Sequence, residues 1–575
     1  MCGIYALFQK GYIDFKERIK DVGTLLNHRG PDSLGHTLIN IPNTFEHILL
    51  VHTRLQINGT SSSQPIKNKA GTIYLIINGE IFNWHKLEDE LNYKCTQSDC
   101  EIIIPLYEKY KNTPNIIFEK LSGQFSFVLV DLEDHKIIIG RDHVGITPMY
   151  IGKSKDSVVV TSEIKTMTSS KHDEVNDIDV FFPRTFYTSS INDIYNFDNT
   201  NAIPYISLKN YNSLNCNYIE NDDVSVIHSK INDLLTNSVK SQLVDMLDNV
   251  NGDFGVLLSG GLDSSLIASL VVKLSKNLGY NNYNKKIKTF SIGVNKDSPD
   301  LKAARVVSQY LDTEHYEYYF SIEEGLNNIK DVIWYVESYD CTTVRASTAM
   351  YLLTKKINKQ HPKIKVLFSG ELSDELLCYL YGANAPNDDA FQDETVQLVS
   401  NVHYFDCLRA NKTCMANSLE VRVPFTDLDY IKYILSLHPR YKRFGNGVIE
   451  KKVLRDSFKG YLPDEILYRV KDQLSDGVSG FDKEFNWIDN LKKFTEEMYT
   501  ESDFQKLKKD FTYTIPRTNE ELYYRIIFNE LFSKKSDIAE YTVKRWVPKW
   551  SNTLDPSGRK QEFFIESIKN NNKEK

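Results

Sequence analysis

The sequence predicts two domains, a β-rich layered one followed by a parallel α/β one. Three observations carry this. Up to about Leu208, short runs rich in β-branched and aromatic residues follow one another closely. From Phe254 onward, short apolar strands alternate with helical patterns, the signature of a parallel sheet. Between the two lies KNYNSLNCNYIENDD, residues 209–223, polar and Asn-rich as a linker would be. The chain has 575 residues, 41% of them apolar, enough to bury sizeable cores.

In chain order, IYALFQ, EHILLVHTRLQI, TIYLIING, QFSFVLVDL, KIIIGRD and SVVVTSE read as strands, each bounded by Gly, Asn or Asp. Strands so close together imply stacked antiparallel sheets in residues 2–208. A helix follows the linker, because Ile227, Ile231, Leu234, Leu235, Val239, Leu243 and Met246 recur on one helical face. FGVLLSGG, KIKTFSIG and KIKVLFSG are the strands of the second domain, residues 224–560. Beyond Asp389 the pattern is mostly helical and charged, and the tail 561–575 is expected to be disordered.

Bulk properties exclude some partners. A net charge of −8 disfavours nucleic acid and anionic membranes, which want a basic face. No apolar run reaches the roughly 20 residues that span a bilayer, and the N-terminus lacks the sections of a signal peptide. None of the eight cysteines forms a CxxC pair, and Cys95/Cys100 and Cys407/Cys414 are too irregular for a zinc site or a disulfide frame. Reduced thiols in a cytoplasmic protein are the expectation.

The sharpest motif is FGVLLSGGLDSSLIASL. A strand runs into Ser259-Gly260-Gly261-Leu262-Asp263-Ser264-Ser265, and a helix follows. Two glycines let the backbone bring its N–H groups against an anion, and the helix N-terminus adds positive charge. Ser259, Ser264 and Ser265 add hydroxyls. Asp263 alone would repel phosphate, so it reads as a ligand of a phosphate-bound Mg²⁺. No Gly-Lys-Ser/Thr follows, so this is not a Walker A loop. The motif resembles the pyrophosphate loop of the N-type ATP pyrophosphatases, which split ATP between the α and β phosphates and transfer AMP. In VLFSGELSDE a second strand ends in Ser369-Gly370, followed by Glu371, Asp374 and Glu375. Strand carboxyl ends carry the ligands in open α/β sheets, so this cluster should face the first loop. Asp263 and Asp374 could then share Mg²⁺, and Glu371 could orient or deprotonate an amine. CTTVRAST sets Thr342, Thr343 and Arg345 together, an arginine fork suited to phosphate oxygens. Lys471 precedes a Ser-Asp-Gly loop, in position to follow charge onto leaving pyrophosphate.

Cys2 stands at the chain's extreme end. Once Met1 is removed, the freed α-amino group, with a pKa of about 8, can serve as base for its own thiol. NHRGPDS, VHTRLQI, INGEIFN and SDCE, with GRDHVGITPMY and TSEIK, resemble the class II glutamine amidotransferases. That resemblance implies an N-terminal nucleophile hydrolase built as a four-layer αββα sandwich. It implies that Arg54 holds the α-carboxylate of glutamine, that Glu80 and Asp99 face its α-amino group, and that Asn78 and Gly79 form the oxyanion hole.

A glutaminase joined to an ATP pyrophosphatase, with SPDLKAA, ESYDCTTVRAST, DCLRANK, LEVRVPF, GNGVIEK and DPSGR in order, resembles the glutamine-dependent asparagine synthetases along nearly the whole chain. The resemblance implies a doubly wound second domain in which Leu257, Ile292, Ser369 and Gly370 surround adenosine and phosphate. Its substrates are glutamine, aspartate and ATP, ammonia crosses an internal tunnel, and a homodimer is the family expectation. Another carboxylate substrate, or a weakened regulatory descendant, stays open. Two departures stand out. The family usually reads SGEGSDE, whereas Leu372 replaces a glycine here, its Gly-Gly pair is missing and the segment is one residue shorter; strain is expected at Leu372. Gln124 stands where the family has an apolar residue near the tunnel, and should slow ammonia or admit water.

Overall fold

In the computed structural model, strand β1 (Gly3–Lys10) is buried on both faces. The residues described are 1–11, 14–42, 46–57, 64–168, 175–213, 217–219, 223–248, 253–279, 286–377, 380–445, 447–470, 477–480, 486–533 and 535–550. Ile4, Ala6 and Phe8 of β1 enter one core, Tyr5 and Leu7 another. Successive side chains point to opposite faces, so a strand covered on both sides reads as an unbroken apolar run.

The same holds for most of the strands that follow: β2 (Ser33–Asn40), β3 (Glu46–Arg54), β4 (Ile66–Lys67), β5 (Ile73–Ile81), β6 (Gly123–Asp131), β7 (Lys136–Arg141), β8 (Tyr150–Lys153), β9 (Ser157–Thr161), β10 (Asp177–Val180), β11 (Thr185–Ser190) and β12 (Ile203–Pro204). They form two antiparallel sheets, of order β10-β8-β9-β1-β3-β2 and β12-β11-β7-β6-β5-β4. Ile4, Leu50 and Val160 of the first sheet meet Ile76, Val128 and Ile139 of the second between them. The helix Phe15–Leu26 covers the outer face of the first sheet through Val22 and Leu26. Helices Ile103–Tyr110 and Asn115–Lys120 cover the second through Leu106, Tyr107 and Phe118. This is the four-layer sandwich expected.

The second sheet system is wholly parallel. Its strands are β13 (Asp253–Leu257), β14 (Lys288–Gly293), β15 (Glu314–Tyr319), β16 (Ile364–Phe368) and β17 (Glu420–Arg422), in the order β15-β14-β13-β16-β17. The chain winds outward from β13 in one direction and then, from β16, in the other. The switch point lies between β13 and β16, where open α/β sheets bind ligands. The helix Val224–Asp248 forms as its periodicity predicts, with Ile227, Ile231, Leu235, Val239 and Leu243 fully buried. In the polar stretch after Leu208, Ile219 bridges to Leu437.

The two halves meet through buried charge. Glu337 accepts from the N–H groups of Ile164 and Lys165, each at 2.9 Å, and pairs with Lys412. Arg29 pairs with Glu163 at 2.9 Å and donates to Asn411 at 3.1 Å. Charges this deep are tolerated because each is paired.

Candidate active sites

The first site is built at the start of β1. The Cys2 N–H donates to Asn78 Oδ1 at 2.8 Å, Arg29 Nε donates to the Cys2 carbonyl at 2.9 Å, and the thiol faces the Leu55 carbonyl at 3.9 Å. Burial raises the pKa of that thiol; the terminal amine and Arg54 oppose the rise and Glu80 adds to it. Cys2, Arg54 and Glu80 therefore share one electrostatic neighbourhood. Asn78 Nδ2 is buried without a partner among the described residues, an amide donor left beside the cysteine. Gly79 follows it on β5 with φ +153°, and a Cβ there would stand 2.1 Å from the Gln124 carbonyl of β6. Only glycine lets the two backbones approach so closely.

Glu80 and Asp99 lie together in the same wall. Burial lifts both carboxyls above their usual range, with Asp99 and Glu420 adding to the rise at Glu80. Asp99 accepts from the Ile81 N–H at 2.7 Å, and Arg422 Nη2 stands 3.7 Å from Glu80. A cation entering here would find two desolvated carboxyls. The α-ammonium of Met1 already does so one step away: it is buried against Glu420. Burial works against its charge, but Glu420, with Cys2 and Glu80, outweighs that and raises its pKa.

The second site fills the cleft at the switch point. Gly260 turns the chain out of β13 at φ +76°, and a Cβ there would meet the Ala304 nitrogen at 2.4 Å. Ser259 and Ser264 brace the loop through their hydroxyls at 3.0 Å. The helix Leu262–Asn277 starts at Gly261 with no side-chain cap, so its first N–H groups face the cleft uncapped. Gly370, after β16, packs so tightly on this loop that a Cβ would lie 2.7 Å from the Asp263 carbonyl carbon and the Ser264 nitrogen. The two loops are therefore one wall.

Leu257, Ser259, Gly261, Asp263, Ser264, Ile292, Thr342, Ser369, Gly370, Glu371 and Asp374 all line this cleft. The buried Thr342 hydroxyl has no partner among the described residues. Three expectations need correction or fall outside. Arg345 is buried away from the cleft, its Nε and Nη2 on the two oxygens of Glu520 at 2.7 and 2.5 Å. The helix Cys341–Gln360 turns Thr342, Ala346 and Met350 to the cleft at helical spacing, which points Arg345 elsewhere. Ser265 is buried beneath the loop, and its N–H already serves the Gly261 carbonyl at 3.1 Å. Lys471 lies outside the described residues.

Among the described residues, Lys451 faces both acidic loops. Its ammonium stands 2.6 Å from Asp263 Oδ2 and 2.7 Å from Asp374 Oδ1. The sequence held it in GNGVIEK, where nothing but position in the fold marks it. Arg409, in DCLRANK, reaches Glu371 at 2.8 Å and Asp406 at 2.7 Å. Glu375 is buried beside Asp406, and desolvation with that like charge lifts its carboxyl far above the usual range. Leu372 takes φ +77° with its side chain 1% exposed. Among the described residues no three His, Cys, Asp or Glu side chains form a metal cage. Two carboxylates converging on one cation is instead the donor set by which proteins hold a phosphate-borne Mg²⁺.

Residues 1–204 match the glutamine amidotransferase domain family, and residues 230–385 and 379–554 match asparagine synthase. Over 99% of this chain and 100% of the relative, it is 38% identical to a probable glutamine-hydrolysing asparagine synthetase of Schizosaccharomyces pombe. It is 37% identical to the glutamine-hydrolysing asparagine synthetase of Zea mays, covering 97% of this chain and 93% of that one. Against asparagine synthetase 1 of Saccharomyces cerevisiae the identity is 37%, over 97% and 98% of the two chains.

Proposed function

Because the chain belongs to the asparagine synthase family and carries a glutamine amidotransferase domain ahead of it, we propose that it makes asparagine from aspartate and ATP, with glutamine as nitrogen source. The observation that carries the proposal is the wall formed by the two glycine loops, with Asp263 and Asp374 turned to one point beneath an uncapped helix N-terminus.

In the first site, with Met1 removed, the Cys2 amine takes the thiol proton and sulfur attacks the glutamine amide carbon. Asn78 Nδ2 and the Gly79 N–H donate to the oxyanion that forms. The proton passes to the leaving nitrogen, ammonia departs, and water hydrolyses the thioester to glutamate. Arg54 binds the α-carboxylate, and Glu80 with Asp99 takes the α-ammonium, whose positive charge opposes the rise that burial gives both carboxyls.

In the second site, Leu257 and Ile292 hold the adenosine, and the loop N–H groups with Ser259 and Ser264 hold phosphate oxygens. The β-carboxylate of aspartate attacks the α-phosphorus, and pyrophosphate leaves. Asp263 and Asp374 would hold a Mg²⁺, which would supply neutralising charge to that pyrophosphate. Lys451 follows the same charge beside Lys471, to which the sequence assigns that role. Thr342 donates its spare hydroxyl to the phosphates. Arg409, Asp406 and Glu371 form a polar wall that fits the two charges of an amino acid. Ammonia then attacks the acyl carbon, Glu371 takes the proton released, and AMP leaves.

The described cysteines are all unpaired, which supports a reducing cytoplasmic setting. Among the described residues no helix is long and apolar enough to cross a membrane. Product analysis tests the chemistry: aspartate, glutamine and Mg-ATP should give asparagine, glutamate, AMP and pyrophosphate. ADP and phosphate, or preference for another carboxylate, would overturn it. Cys2→Ala should abolish use of glutamine and keep synthesis from added ammonia.

A further inference from the structure

Gln124 sits on β6 directly opposite Glu80 of β5, so both side chains leave the sheet on the same face. It is 2% exposed, and its partners belong to the other domain. With the amide nitrogen turned to the Val421 carbonyl and the amide oxygen to the Val423 N–H, both contacts measure 3.1 Å. The reverse orientation would set acceptor against acceptor and donor against donor.

Those partners are specific in kind. β17 bonds β16 on one edge, where Arg422 accepts from the Ser369 N–H at 2.9 Å. Val421 and Val423, offset by one residue, point their backbone groups to the other edge. A further parallel strand would meet that edge with one residue, donating to the first carbonyl and accepting from the N–H two positions on. A primary amide offers both functions on one side and imitates that residue. Val421 and Val423 are completely buried, so their groups have no recourse to bulk water. Gln124 thus ends the parallel sheet with a side chain from the antiparallel one. Charged contacts flank it, Arg422 on Glu420 at 2.8 Å and near Glu80 at 3.7 Å.

We propose that Gln124 is a positioning residue that closes the free edge of β17 and keeps water out of the ammonia route between Cys2 and the nucleotide cleft. This rests on the proposed two-site function. One N–H and the oxygen of the Gln124 amide are spent on backbone. Removing the amide would strand two buried backbone groups, and water recruited to them would protonate or divert ammonia in transit.

The test is the Gln124→Met variant of the full chain, assayed for asparagine formed per glutamate released. That ratio should fall at least twofold, while glutamine hydrolysis and synthesis from added ammonia stay within twofold of the parent. Gln124→Glu, which sets an acceptor against the Val421 carbonyl, should lower the ratio further. An unchanged ratio overturns the proposal, and so does a parallel fall in all three activities, which would mark a merely structural role. If neither variant folds, hydrogen exchange in the parent decides: a protected Val423 amide supports the bridge, and exchange at the rate of exposed loops overturns it. A parent that makes no asparagine would instead refute the function.

Discussion

Leu372 holds a left-handed backbone at φ +77° where glycine would be at ease. The conformation costs an L-residue about 1–2 kcal/mol. The side chain meets that cost by entering the core beside Leu376 and Leu377, since burying a leucine contributes about 1.5–3 kcal/mol. The expected strain is therefore present, and compensated. Leu372→Gly should relieve the backbone yet lose more, because large-to-small core changes cost about 2–5 kcal/mol. Chemical denaturation should show a net loss of about 1–3 kcal/mol; a more stable variant would contradict the compensation. At this scale much of the site was legible. SGGLDSS and SGELSDE announce themselves because glycine and carboxylate have few other reasons to sit at a strand end. Lys451 and Arg409 did not, because a lysine or arginine in a helical, charged stretch looks like any surface cation until the fold buries it.

Arg345 belongs to the scale of the element. Its neighbours in CTTVRAST suggested a phosphate contact, but the helix Cys341–Gln360 decides which residues reach the cleft. Thr342 and Ala346 do, while Arg345 forks onto Glu520 of the helix Asn519–Leu531. Sequence proximity put three polar residues together, and a turn of 100° per residue parted them. Arg345→Ala should leave Glu520 buried and unpaired, costing about 3–5 kcal/mol in an unfolding titration. The KM for ATP should stay within about twofold. A stable variant with a much raised KM would return Arg345 to the phosphates. Strands were read on the same terms. Those buried on both faces, β1, β5 and β6, stand out as apolar runs. β2 escapes because it is an edge strand whose Leu34 and Leu38 are exposed amid polar neighbours. β17 escapes because it is three residues long and charged at both ends. Its Glu420 and Arg422 pair with each other at 2.8 Å, and Arg422 also faces Glu80 of the other domain.

At the scale of the molecule, β17 stands between the two candidate sites. One edge continues the sheet whose strand ends hold the nucleotide loops, and the other carries Gln124, with Arg422 reaching Glu80 of the first domain. The two candidate sites thus share a wall across buried, paired charge, which gives the halves reason to stay in register. No single-domain reading of the sequence could show this, because the residues concerned are about 300 to 400 positions apart and none is unusual alone. The central claim is that nitrogen freed at Cys2 reaches the second site without entering solution. It is tested by supplying amide-¹⁵N glutamine with an excess of unlabelled ammonium and measuring the label in asparagine. Internal transfer predicts asparagine that keeps most of the label while the added ammonium stays unlabelled. Asparagine carrying the isotopic composition of the ammonium in solution would contradict it.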